Sequence, residues 1–144
     1  MPAREPSVAG QMARAHAKLL HDLVELAHAI RTTSHENLKE FKVRLRIARD
    51  DLAEHFRLEE QDGYMDAVKS RSPAQGRAVQ RLLAEHQGLL KTLDDIVKLA
   101  SQSASLSDRL RNKTLQWIQR VHGHEQRENA LVQDAFNVDS AAED

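Results

Sequence analysis

His55-Phe-Arg-Leu-Glu59 and His124-Glu-Gln-Arg-Glu128 are the stretches that decide how this chain folds. They lie 69 residues apart, and each sets a glutamate four residues after a histidine. A second matching pair precedes them. His16-Ala-Lys-Leu-Leu-His-Asp-Leu23 and His86-Gln-Gly-Leu-Leu-Lys-Thr-Leu93 align at an offset of 70, histidine on histidine and leucines on leucines. Self-similarity at a fixed offset marks two copies of one structural unit.

The punctuation around these stretches makes each unit a pair of helices. Pro2 and Pro6 stand at the start, and Ser72-Pro73 reads as a cap followed by a first helical residue. Thr33 and Glu36 have capping-box spacing, and Ser101-Gln-Ser-Ala-Ser-Leu-Ser107 places another cap at Ser105 or Ser107. The breaks predict helices over 8–31, 35–70, 73–100 and 108–136 in a single domain spanning 1–144, with a polar tail, 137–144, expected to fray.

Each segment has helical periodicity. The apolar positions are Leu19, Leu20, Leu23, Ala27 and Ile30, then Leu38, Phe41, Leu45, Ala48 and Leu52. Val79, Leu82, Leu83, Leu90, Leu93 and Val97 follow, then Leu110, Trp117, Val121, Leu131 and Ala135. Long amphipathic helices with short connections predict an all-α, antiparallel up-down-up-down four-helix bundle built from two repeated hairpins.

The repeated polar residues fall on the apolar stripes. His16 lies three and four residues before Leu19 and Leu20, and His86 the same distances after Leu83 and Leu82. His55 follows Leu52 by three residues and His124 follows Val121 by three. Glu59 and Glu128 come one turn later on the same faces. Four histidines and two glutamates thus point into an apolar bundle, which is costly unless something compensates them. Singly, each histidine reads as a hydrogen-bonded core residue, and the repeat could serve packing alone. A purely structural repeat, however, has no reason to keep its most expensive residues. Imidazole and carboxylate suit first-row transition metals. Two glutamates could bridge two ions, each ion taking two histidines, with open positions left for a small ligand.

Other polar residues have blander readings. His21, Glu25 and His28 share a stripe beside Lys18 and Asp22, which reads as a solvated face. His35 falls near the second helix start, and His122 should point away from His124. Glu125 is expected at the surface more than at the metal. Glu60 is expected to be solvated or to sit behind a ligand, and Tyr64 to close the bundle end. Trp117 is expected in the core. Gly123 weakens its helix unless close packing needs it.

Composition excludes several alternatives. There is no cysteine, so disulfides, thiolate metal sites, iron–sulfur clusters and cysteine nucleophiles are out. The formal charge of -1 offers no basic surplus for a nucleic-acid partner. Aromatic content of 3% is low for a β-rich domain, while eight histidines are many for 144 residues. No apolar run spans a bilayer, and Met1-Pro-Ala-Arg-Glu-Pro lacks the apolar stretch of a secretory signal, so a cytoplasmic protein is expected.

In the order His16, His55-x3-Glu59, His86, His124-x3-Glu128, the chain resembles the haemerythrin-like family, or HHE cation-binding domain, over about residues 12–136. The resemblance implies that family's four-helix bundle and a non-haem di-iron centre with bridging carboxylates and an oxo or hydroxo bridge (Fe–O–Fe or Fe–OH–Fe). Two departures separate it from the oxygen carriers. Leu90 stands where they have a fifth histidine, and Asn129 where they have a last aspartate, leaving Glu128 as the carboxylate. The chain is similar to the H–HxxxE–H–HxxxE subgroup.

The expected metal ligands are His16, His55, Glu59, His86, His124 and Glu128, with manganese or zinc as alternatives to iron. No catalytic residue is assigned beyond the open positions on the metal pair. The expected ligands are dioxygen, peroxide or nitric oxide, and the expected state is a monomer or weak homodimer. Peroxide decomposition is the first functional expectation. An oxygen- or iron-sensing module is the second, and reversible oxygen storage the third.

Overall fold

A computed structural model describes residues 8–32, 38–61, 65, 70 and 73–143. Four α-helices account for nearly all of them: α1 (Val8–Thr32), α2 (Lys39–Gln61), α3 (Gly76–Ser101) and α4 (Asp108–Glu143). No strand occurs among the described residues.

Cross-helix contacts fix the directions. Lys18 meets Asp51 and Glu25 meets Arg44, so α1 and α2 are antiparallel. Glu85 reaches Arg127 and Thr92 reaches Arg120, so α3 and α4 are antiparallel as well. Arg49–Asp94 and His86–Glu59 reverse α3 against α2. Arg111–Ile30 and His16–Glu125 do the same for α4 against α1. The chain is therefore an up-down-up-down four-helix bundle, with its main contacts inside the α1–α2 and α3–α4 hairpins.

The helix ends follow local chemistry. Ser107 is the cap of α4: its Oγ accepts the N–H of Leu110 at 3.2 Å, and its carbonyl accepts the N–H of Arg111 at 3.0 Å. Pro73 opens a 3₁₀ turn, Pro73–Gln75, rather than α3 itself, which starts at Gly76. At the end of α1, the Arg111 guanidinium donates to the carbonyl of Ile30, one of the acceptors a helix end leaves unpaired. The fourth helix does not stop at 136. It runs to Glu143 through a stretch with no Pro or Gly to break it. The capping box at Thr33 and Glu36, His35, Tyr64 and Ser72 lie outside the described residues.

The core runs through most of the bundle. Leu19, Leu23, Phe41, Leu45, Leu52, Leu93, Ile96, Leu110, Trp117 and Val121 are all fully buried. Trp117 keeps its indole polar atom satisfied by donating to the carbonyl of Leu89 at 2.9 Å. In α3 the buried stripe is Val79, Leu82, His86, Leu89, Leu93 and Ile96, so Leu83, Leu90 and Val97 flank the core rather than centre it. A smaller apolar group, Met65, Val79, Leu82 and Leu131, closes the end of the bundle where α1 and α3 begin. No described helix is long and apolar enough to cross a membrane.

Candidate metal centre

Between the two apolar groups the core becomes polar. His55, Glu59, His86, His124, Glu125 and Glu128 are all buried, and His16 is half-buried at the edge. All four helices contribute. His16 comes from the first half of α1, His55 and Glu59 from the end of α2, His86 from α3, and the rest from α4.

The side chains fall into overlapping sets whose ligand atoms lie within 4.8 Å of one another. One set is Glu59, His86, His124 and Glu128. Another is His16, His55 and Glu125, and a third joins His55 and Glu125 to the same Glu59 and Glu128. The histidines therefore divide two and two, and Glu59 and Glu128 belong to both sides. That is the arrangement expected of two ions sharing two carboxylates.

The side-chain nitrogens and oxygens of the cluster converge closely. His55 Nε2 is 2.8 Å from Glu59 Oε1, and His86 Nε2 is 2.9 Å from Glu59 Oε2. Neither contact is aligned as a hydrogen bond: both oxygens of Glu59, His86 Nε2, His124 Nε2 and Glu128 Oε2 are buried without a hydrogen-bond partner. Orphaned polar atoms are rare in protein interiors and costly. Here they converge on one another within 4.8 Å, which is an environment a cation would satisfy.

Protonation cannot satisfy the cluster evenly. Burial opposes a charge on His55, but the hydrogen-bonded Glu125 and the neighbouring Glu59 carboxylate outweigh it and raise its pKa to about 10. Burial, then the neighbouring charge of His124, pushes His86 down to about 4. Burial raises Glu128 to about 8, with the nearby His124 opposing and Glu59 assisting. Metal ligands must shed such protons, so a bound cation would replace them and relieve the conflict.

Behind these residues stands a support. His124 Nδ1 lies 2.8 Å from Glu85 Oε2, fixing the ring so that Nε2 faces the cluster. Arg127 holds Glu85 in turn, and also donates to the carbonyl of Gly123 at 3.1 Å. Glu60 is exposed, with one oxygen 3.6 Å from His86 Nδ1. Phe56 stacks on His86.

Residues 8–136 match the family model described as the Hemerythrin HHE cation binding domain. The chain belongs to that family. No curated protein and no solved structure matches it. Cation binding by the HHE domain agrees with the buried His/Glu cluster, and all six ligands expected from the sequence lie in that cluster.

Glu125 corrects the sequence reading. Its expected surface position is wrong: it is 3% exposed, accepts from His55 Nε2 at 3.1 and 3.2 Å, and lies 2.6 Å from His16 Nδ1. Consecutive residues on a helix point about 100° apart, yet a cluster at the junction of helices admits both His124 and Glu125. The repeat hid it, because the position matching Glu125 is Phe56. Asp22 is a second correction: expected on a solvated face, it is 7% exposed and turned toward Asp51. The rest of that stripe is solvated as expected, with His21 and His28 exposed and Glu25 paired to Arg44 at 3.7 Å.

Proposed function

We propose that the centre holds two iron ions bridged by Glu59 and Glu128, with His16, His55 and Glu125 on one and His86 and His124 on the other, and that it decomposes peroxide. The observation that carries this reading is an opening of about 250 Å³ onto the cluster. Met12, Ala13, Asn129 and Val132 line it on the outside, and His16, His55, Glu125 and the shared Glu128 on the inside. It is smaller than the ~300–1,000 Å³ of clefts that hold drug-sized molecules. Peroxide, dioxygen and nitric oxide are small enough to pass through it. When bound, an iron pair supplies the two electrons that turn one peroxide and two protons into two waters, and recovers them from a second peroxide released as dioxygen and two protons. The chain's own residues hold the pair, keep its far side dry and admit small molecules from one direction. Manganese or zinc would fit the same donors.

A second reading is a sensing module without turnover. It is favoured by the drawing of ligands from all four helices, so that metal occupancy acts on the stability of the whole bundle. Reversible oxygen storage is the third, weakened by Leu90 at the place of a fifth histidine.

The test begins with metal analysis of protein made without added metal. Anaerobic loading with ferrous iron should then give two ions per chain, and peroxide should disappear with release of dioxygen. A stable, reversible oxygen adduct would instead establish storage. An inert, metal-stabilised protein would establish the sensing module.

A further inference from the structure

We infer that the two ion positions are not interchangeable: the one bounded by His16, His55 and Glu125 is an exchangeable site open to solvent, and the one between His86 and His124 is locked. This rests on the two-ion reading of the centre and adds to it an order of loading and release.

Three differences between the halves support it. The first is access. His16 is 35% exposed and floors the cavity together with His55 and Glu125, whereas His86 and His124 are buried at 1% and 0%. None of the cavities described reaches His86 or His124.

The second is support behind the ligands. His124 is held from behind by Glu85, and Glu85 by Arg127. At the equivalent repeat positions the first hairpin has Ala15 and Leu58, which offer no such bond. His55 Nδ1 and His86 Nδ1 are both buried without a hydrogen-bond partner, so the support that separates the halves is the one behind His124. A carboxylate behind a metal-bound histidine is worth about 10–100-fold in metal affinity.

The third is the exchange of a carboxylate for an aromatic ring across the repeat. Glu125 follows His124 and crosses to the open side, adding a charged ligand beside His16 and His55. Phe56 follows His55 and crosses to the closed side, where it stacks on His86 and meets the His124 ring edge-on, with centroids 5.6 Å apart. One side thus gains a buried ionic ligand at the floor of the cavity, and the other gains an apolar cover that holds its rings in place.

The test loads the protein with ferrous iron under anaerobic conditions, adds excess chromogenic ferrous chelator and follows iron release. Release should occur in two phases of one ion each, with rates at least ~10-fold apart. Glu125→Ala should remove the fast ion and keep the slow phase. Glu85→Ala should speed the slow phase alone. Ala13→Trp, at an exposed rim position that leaves the core untouched, should slow the fast phase. Two ions leaving in a single phase would overturn the inference while the two-ion reading stood. So would an effect of Glu125→Ala confined to the slow phase. Fewer than two ions bound per chain would overturn the two-ion reading itself.

Discussion

Phe56 lies face to face with His86, their ring centroids 3.7 Å apart and their planes 6° from parallel. Phe56 is 1% exposed and also belongs to the main apolar core. Removing it takes away both the cover over a ligand and a large buried side chain. Phe56→Ala should therefore destabilise the metal-free protein by about 3–5 kcal/mol. Urea unfolding of both forms measures this, and a loss below ~1 kcal/mol would mean that the stack contributes little to folding.

Buried Asp22 and partly buried Asp51 form a carboxyl pair between α1 and α2. Each leaves its Oδ2 without a partner, and Lys18 approaches the Asp51 Oδ1 at 3.1 Å. Burial, followed by the hydrogen bond and the charge of Asp51, raises Asp22 to about 7, with Lys18 and Arg44 opposing. A carboxyl raised in the folded state binds its proton there more tightly than in the unfolded chain. Its contribution is complete below the ordinary pKa of 3.8 and is lost as pH rises to about 7. Across that window the slope approaches about 1.4 kcal/mol per pH unit for one proton. Asp22→Asn should cancel it, so the difference in unfolding free energy between wild type and variant should change between pH 4 and pH 7 and stay level above. Parallel curves would show that the two carboxyls do not share a proton.

Gly123 precedes a metal ligand, and nothing lies within 4 Å of where its Cβ would be. Close packing does not require it, and it sits inside α4. Gly123→Ala should raise stability by about 0.5–1 kcal/mol through the smaller backbone entropy loss on folding. A shift of the urea midpoint at unchanged slope, with metal content retained, is the expected result.

Glu59 and Glu128 are common to both sides of the cluster. The double variant Glu59→Ala, Glu128→Ala should bind fewer than two ions per chain. A ligand held only by the folded state stabilises it by about 2.7 kcal/mol at 100 times its Kd. Calorimetry with and without added iron should therefore show a metal-dependent rise in Tm for wild type and a smaller one for the variant. Two ions still bound by the variant would show the ligand assignment to be wrong.

The repeat made most of this visible from the sequence. A histidine and glutamate one turn apart, duplicated at nearly equal offsets on apolar stripes, specify both a pair of hairpins and the polar residues between them. Symmetry is also where that reasoning stopped. Glu125 has no repeat counterpart in the first hairpin, where Phe56 stands, so it resembled a surface residue. Glu85 contacts His124 only because α3 and α4 meet at that level, a relation absent from the periodicity of either helix. Asp22 lies among charged neighbours along α1, and its burial comes from α2. Periodicity places a side chain on a face of its own helix, and the docking of a second helix decides how wide the buried face is.

The centre has a mechanical consequence. His55 and His124 are 69 residues apart in the chain, and the ions they would help hold share Glu59 and Glu128. Occupied, the cluster is a cross-link between the hairpins. In the chain-entropy account of disulfides, closing a loop of this length restricts the unfolded chain by roughly 4 kcal/mol. A protein without cysteine thus acquires a staple that a chelator, rather than a reductant, can open.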